Sequence, residues 1–428
     1  MSTDQVIGSE VNVQDIILER VDGEGRPLSI RQQVQEIVIY ESVFSKFLHG
    51  YLFIQDAIGL LSNFPIVGEE KIRLKYRLND TRSRTISAEF FIFAVEDISI
   101  SADNKSQSYI LKFCSLEKIE DIRNSVDNAF NEPISNIVKK IVRDGLKSNK
   151  KVAVEDSLGS QHLVFPSMQP SVALQMCERR AISSINRSSS WVFYETLNDG
   201  FVFKTLEQHV REQSTATEKP YKYFMFTERS KDAKELDFFN IHGFSFDTRF
   251  NTLEKIQNGM VDSELLQYDI ITKKQKRNEY RYREVFNDMY HVDQRAPGKL
   301  NSDKFLEKYE DPGKIPTSKN EYSYILTDSS LPQTYFERSY GHRNVYMNSL
   351  RQVQGTIVVP GFTEIRPGML IDLTVPPMEG STDVGQDQDN FVSGLFLITN
   401  VKHNIFGNSK YTMTLDITKD NYRTKINV

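Results

Sequence analysis

Seven histidines, His49, His162, His209, His242, His291, His342 and His403, are the side chains best suited to acid–base or metal chemistry near neutral pH. No two of them stand at i, i+2 or i, i+4. That spacing rules out a His-Glu-x-x-His helix and any metal box carried by one local segment. Cys114 and Cys177 lie far apart with no C-x-x-C pair, so they read as free buried thiols rather than a zinc frame or a disulfide. The loop "STDVGQDQDN" gathers Asp383, Asp387 and Asp389 but lacks the sixth-position glycine and twelfth-position glutamate of a calcium loop. It reads as a polar connection between strands, and the spacing leaves ion binding open. Neither G-x-S-x-G nor a glycine-rich phosphate loop occurs. Carboxylate pairs that cleave glycosides are set by tertiary distance, so 58 acidic residues carry no signal for them. No catalytic, cofactor-binding or metal-ligating residue is assigned, and the expectation is a protein that is not an enzyme and needs no cofactor.

Two clusters are suited to binding rather than reaction. In "KIRLKYRL", Lys71, Arg73, Lys75 and Arg77 alternate with Ile72, Leu74, Tyr76 and Leu78. An extended strand would therefore turn one face basic and one apolar. The basic face is a candidate interface for an acidic partner surface or a neighbouring subunit. In "KKQKRNEYRYRE" (273–284), Tyr280 and Tyr282 stand beside arginines where they could stack on bases. A solvated insert or docking surface is the plainer reading, because a net charge of −5 gives no overall pull toward nucleic acid.

The elements that must hold these groups are mostly strands. At 428 residues, 39% hydrophobic and 26% charged, the chain reads as a soluble globular protein of several domains, at roughly 150 residues per domain. Its 27 Phe and 19 Tyr favour pleated surfaces. Residues 1–116 alternate as short strands and read as a first small β-barrel or sandwich. From 117 the period lengthens: "EPISNIVKKIVRDGL" puts Ile134, Ile137, Val138, Ile141 and Val142 on one stripe, with Pro133 in the first turn and Gly145 at the stop. "QPSVALQMCERRA" offers Ser171 as N-cap and Ala173, Met176 and Cys177 as a packed face. "SSSWVFYETLNDGFVFKTLEQ" reads as a hairpin turning at Asn198-Asp199-Gly200. Residues 117–240 are thus an α+β middle domain and 241–272 the start of a second β-barrel. Residues 273–340 read as a polar insert packed on the middle domain, and 341–428 complete the second barrel. Pro65 and Gly68 reverse the chain in "FPIVGEE", while Gly50, Gly368 and Gly394 open strands where a bulge or corner is needed. The first residues lack the features of a signal peptide, and no apolar window approaches the ~20 residues of a spanning helix. Synthesis in a cytoplasm-like compartment without membrane insertion is expected.

One pattern recurs. The closing stretch "SGLFLITNVKHNIFGNSKYTMTLDITKDNY" (393–422) parallels "SAEFFIFAVEDISISADNKSQSYILKFCSLEKIED" (87–121), two strands around a polar turn in each case. Each is preceded by a strand entering from a glycine, "GEEKIRLKYR" and "PGMLIDLTVP". Two such modules per chain would give a trimer six near-equivalent modules and let it meet a sixfold partner. His403, between Val401 and Ile405, reads as a strand histidine of the scaffold.

The runs "YESVFSKFLHGYLFIQDAIGLLSNFPIVGEEKIRLKYR" (40–77), "SSWVFYETLNDGFVFKTLEQ" (189–208), "RPGMLIDLTVPP" and the closing stretch resemble, in that order, the baseplate central hub proteins of contractile-tailed bacteriophages. The hub part of type VI secretion spike proteins is built similarly. The resemblance covers nearly all the chain except 273–340. It implies a mainly β fold with an α+β middle domain, two similar small β-barrel domains and a ring-shaped homotrimer of pseudo-sixfold symmetry. It further implies a structural place in the virion, assembled in the host cytoplasm. There the ring would adapt the hexameric tail tube ring to the trimeric central spike, touch other baseplate (wedge) proteins and pass DNA in transit through a central channel. The alternatives are a tail-associated peptidoglycan hydrolase, which needs a positioned carboxylate pair or metal, and a receptor- or glycan-binding tail-tip protein, which needs an exposed aromatic groove.

Overall fold

The computed structural model describes residues 9–21, 23, 26–64, 66–79, 84–103, 105–216, 219–225, 239–248, 254, 258–260, 262–268, 273, 275–292, 320–324, 336–376, 389 and 392–420. It is mainly β with several helices. The first strands are β1 (Ser9–Arg20), β2 (Leu28–Ser29), β3 (Val34–Ser42), β4 (His49–Asp56), β5 (Glu70–Leu78), β6 (Ile86–Ile100) and β7 (Gln107–Ser115). The middle of the chain adds β8 (Val126–Glu132), β9 (Val152–Val154), β10 (Gln161–Met168), β11 (Trp191–Thr196) and β12 (Gly200–Thr205). After these come β13 (Tyr221–Phe224), β14 (Gly243–Thr248), β15 (Asp262–Tyr268), β16 (Gln275–Arg281), β17 (Asn320–Tyr324), β18 (Val353–Pro360), β19 (Leu370–Thr374), β20 (Gly394–Phe406) and β21 (Lys410–Lys419).

Alternation makes the strands, and register makes the repeat. In β5 the side chains of Ile72, Leu74, Tyr76 and Leu78 are buried, as the period of two requires. Six early strands lie side by side in the order β1-β5-β6-β7-β4-β3, and six later ones in the order β13-β19-β20-β21-β18-β14. Numbered along the chain within each set, both orders read first, fourth, fifth, sixth, third, second. The match extends to individual pairs. Ile92 faces Phe113 and, after one extra residue, Ala94 faces Lys112. Ile398 faces Ile417 and, after one extra residue, Asn400 faces Asp416. The sets differ at their first strand: β1 runs antiparallel to β5, and β13 parallel to β19.

Two separately bounded sheets were expected, and one large mixed sheet is found, because the β20–β21 hairpin outruns its own set. Gly394–Leu397 pairs with β19, and Asn400–Phe406 continues on the same edge against β3. At the far end Tyr411 and Lys410 reach Ser9 and Glu10 of β1. Pairings around β20-β3-β4-β7-β6-β5-β1-β21 therefore close on themselves. The core follows suit, since one apolar cluster joins Val13, Leu52 and Phe113 to Ile357, Phe396 and Leu415.

The middle of the chain is α+β. The stripe Ile134, Ile137, Val138, Ile141 and Val142 is buried together with Ala173 and Cys177 against Trp191, Phe193, Phe201 and Phe203. Trp191 stacks on Phe203 at 4.5 Å and Phe193 on Phe201 at 5.2 Å, as diagonal neighbours across β11 and β12, each ring lying two residues beyond its own directly paired position. Ser171 is not the N-cap of its helix. The helix spans Pro170–Arg180, and the Ser171 N–H in its first turn donates to Asp121 Oδ1 at 2.7 Å. A carboxylate from another helix thus takes the capping role. Cys114 and Cys177 are both buried and unpaired. Beyond the middle, β14 joins the large sheet while β15 pairs with β16 and β17 in a sheet of its own. No helix among the described residues is long and apolar enough to cross a membrane.

Candidate functional site

The contact between the two strand sets is built around His403. Its Nε2 lies 2.9 Å from Glu41 Oε1 on β3, and its Nδ1 lies 2.6 Å from the Tyr411 hydroxyl on β21. All three are buried. Both ring nitrogens are occupied in a site closed to solvent, so His403 joins strands and has no free nitrogen for a substrate or metal.

The basic face of β5 divides in two. Lys71 and Arg73 meet Glu19 of β1 and Glu89 of β6, Arg73 at 2.8 and 3.0 Å, because β5 lies between those strands. Lys75 and Arg77 are exposed and make no ion pair among the described residues, although Asp15 of β1 lies directly opposite Lys75. Intrachain pairing ties down one end of the face and leaves the other open to solvent.

A second polar junction ties the first set to the middle of the chain. Lys150 Nζ sits 2.7 Å from Glu117 Oε2 and 2.6 Å from Glu195 Oε1. Glu195 also accepts from the Leu48 N–H at 3.1 Å and from the Ser115 hydroxyl. Burial pushes the Glu195 carboxyl up, ahead of the opposing pull of Lys150. Burial works against the Lys150 charge as well, but Glu195 and Glu117 outweigh it and hold the ammonium above its ordinary range. A cleft of about 470 Å³ opens beside this group, lined by Leu48, Glu89, Phe90 and Asn198 among others. Its buried carboxylate Glu195 is already paired with Lys150. The Asn198 amide on the hairpin turn donates to the Thr363 carbonyl at 2.6 Å, and Asp199 pairs with Arg366, so the turn pins the loop before β19.

Tertiary structure also assembles a serine, a histidine and a carboxylate that sequence spacing does not foretell. Ser189 Oγ lies 3.3 Å from His342 Nδ1, and His342 Nε2 lies 3.3 Å from Glu207 Oε1. The order matches a nucleophile, base and acid, but Ser189 is 1% exposed and Glu207 fully enclosed, so no acyl substrate reaches them. Burial pushes Glu207 up to about 8, and the Ser188 hydroxyl and the Tyr290 N–H oppose that rise. His291 is held above its ordinary range: burial acts against its charge, and the bond to Asp420 at 2.5 Å outweighs it. His209, enclosed beside the Tyr194 hydroxyl, is pushed down to about 4 by burial. Through Ser189, His342 and Glu207, helix Phe336–Ser349 is held to the middle of the chain, and His291 holds Asp420 at the end of β21. Among the described residues no group of three or more His, Cys, Asp or Glu could hold a metal ion.

Gly68, Gly200, Gly368 and Gly394 all have positive φ. At Gly200 the need is double, since its φ is 79° and a Cβ would stand 2.5 Å from the Lys151 carbonyl oxygen. Pro65, Asp383 and Asp387 lie outside the described residues, while Asp389 accepts from the Val392 N–H at 3.3 Å and closes a local turn. Within 273–284, the Tyr280 ring packs on Gly341, where a Cβ would meet it at 2.2 Å. The Tyr282 ring packs edge-on against Phe286 at 5.4 Å. Neither ring is presented as an open stacking platform.

No protein-family model and no curated protein sequence matches the chain. Solved structures do. A tail protein from Neisseria meningitidis superposes with a TM-score of 0.52 at 10% identity, over 96% of this chain and 97% of that one. The 43 kDa tail protein of prophage MuSo2 from Shewanella oneidensis gives 0.50 at 10% identity, over 95% and 98%. At that identity the likeness is one of fold, and it runs end to end: this chain has the fold of those two tail proteins.

Proposed function

We propose that the chain is the structural hub of a contractile phage tail baseplate. Three copies form a ring with six near-equivalent β modules, each of barrel form. The ring adapts the hexameric tail tube to the trimeric central spike, and its channel passes DNA in transit. Wedge proteins of the baseplate dock on its outside, and the working location is the virion after assembly in the host cytoplasm. The observation that supports this reading most directly is the repeated strand order, down to the placement of the Phe93 and Thr399 bulges. A chain with two copies of one module satisfies threefold and sixfold neighbours at once when it trimerises. The fold likeness to the Neisseria and MuSo2 tail proteins supports the same assignment.

Light scattering and negative-stain imaging of the purified protein test it. A trimer with a central hole is expected, with an obligate interface burying roughly 2,000 Å² or more. A monomer at every concentration, even with the spike protein added, would overturn it.

A further inference from the structure

Within the chain, β20 runs past its bulge and pairs with β3, from Asn400 opposite Ser42 to Phe406 opposite Glu36. The equivalent half of β6, Ala94–Ile100, pairs with β7 alone, because β5 reaches no farther than Phe91. Among the described residues its outer edge meets no strand. Phe93, Ile98 and Ile100 are 51%, 56% and 61% exposed, whereas Ile405, which holds the place of Ile100 in the later set, is 1% exposed. The equivalent of β3 is β14, which among the described residues pairs with β18 alone, at the end of the strand path. Each set thus offers one unmatched edge, and the two edges are the halves of a contact already made once inside the chain.

We propose that β6 of one copy pairs antiparallel with β14 of a second copy, carrying the sheet from chain to chain as β20 and β3 carry it within one. The proposal rests on the trimeric-ring reading and names the strands that close the ring. A head-to-tail contact closes into a ring only when its rotation divides a full turn, and the trimeric reading requires one sixth of a turn per module.

Register supplies an independent argument. The in-chain pair Lys402–Tyr40 corresponds to Glu96–Thr248, and Asn404–Val38 corresponds to Ser99–Ser245. Between those levels β20 and β3 have one residue each, His403 and Ile39. At the same level β6 has two, Asp97 and Ile98, and β14 has two, Phe246 and Asp247. A bulge on one strand alone would shift the ladder beyond it by a residue and turn the side chains to the wrong face. Two bulges at one level keep Ser99 opposite Ser245 and Ile100 opposite Phe244. These strands do not pair within the chain, and pairing between chains accounts for the match. It also covers an exposed apolar edge that would otherwise invite aggregation.

Cross-linking tests this. Ser99→Cys and Ser245→Cys are introduced together; both serines are exposed, and the native Cys114 and Cys177 are buried. Along the sheet β6 and β14 are five strand steps apart, a path on the order of 24 Å, and an internal disulfide would leave the chain a monomer on the gel. Oxidation should give a ladder ending at a covalent trimer that collapses on reduction. A mixture of the two single variants should stop at a covalent dimer. Ile100→Cys with Phe244→Cys samples the neighbouring level, so that disulfide geometry at one level does not decide the result. If light scattering shows trimers for the reduced variants but neither pair cross-links, β6–β14 pairing is overturned and the ring stands. If wild type is monomeric even with the spike protein present, both fail together.

Discussion

Gly50 and Gly355 hold the same position in two distant parts of one sheet. Gly50 lies opposite Phe113 and Gly355 opposite Ile417, the residues just before the bulges of their hairpins. A Cβ on Gly50 would stand 2.1 Å from the Val38 carbonyl oxygen, and one on Gly355 2.8 Å from that of Ser245. Val38 and Ser245 are themselves equivalent, so each glycine lets a third strand approach a second strand closely.

Gly50→Ala and Gly355→Ala are therefore both expected to destabilise the chain, by about 1–3 kcal/mol each, the range for forced overpacking. Gly50→Ala should be the worse of the two, because the backbone oxygen its Cβ meets is nearer, 2.1 Å against 2.8 Å. Thermal melting of the two variants checks the order, and unchanged melting in both would mean the close approach is not required.

Removing the imidazole of His403 strands the buried Glu41 carboxyl, while the Tyr411 hydroxyl keeps its bond to Tyr76. His403→Leu should cost about 1–3 kcal/mol for the carboxyl left without that partner. Replacing both members, with Glu41→Leu added to His403→Leu, should cost less than the single change, because no buried carboxylate then remains. Urea unfolding of the single and double variants separates these outcomes.

Lys150→Met leaves Glu117 and Glu195 facing each other without their cation. The Lys150 side chain is 38% exposed, so water offsets part of the loss. The lower end of the ~3–5 kcal/mol for a broken buried pair is expected. The loss should grow as pH rises, since the raised Glu195 carboxyl must ionise with no ammonium beside it. Chemical denaturation at two pH values tests the direction.

Glu207 makes a pH dependence of known sign. Its folded value of about 8 lies above the ordinary 4.5. Its protonated form therefore stabilises the fold fully below about 4.5, and that contribution is lost as pH rises toward 8. His342 and His291 face the same carboxyl, so the comparison is made with wild type at each pH. Glu207→Gln should gain on wild type steadily across that window, by a few kcal/mol at its upper end. A constant difference would show that Glu207 does not titrate there.

On β5 the two halves of the basic face should behave differently. Arg73→Ala removes exposed ion pairs to Glu19 and Glu89 and should cost no more than about 1 kcal/mol. Lys75→Gln with Arg77→Gln should leave melting nearly unchanged, within about 0.5 kcal/mol, yet weaken association with an acidic partner at this end of the strand. Sedimentation of the variant alone and with each partner provides the readout.

The sequence by itself determined which segments are strand or helix, because the two-residue period of "KIRLKYRL" and the stripe from Ile134 to Val142 are set by near neighbours. It also displayed the likeness between 87–121 and 393–422, since hairpins and their glycine entries are local. What the tertiary structure decided is which edge meets which. It made one sheet of two sets and gave the Ser171 helix its cap from Asp121. It also brought His403 to Glu41 across 362 positions and lined up Ser189, His342 and Glu207. Such partners depend on strand register over the whole chain, and register is fixed only when every apolar face finds its place in the core.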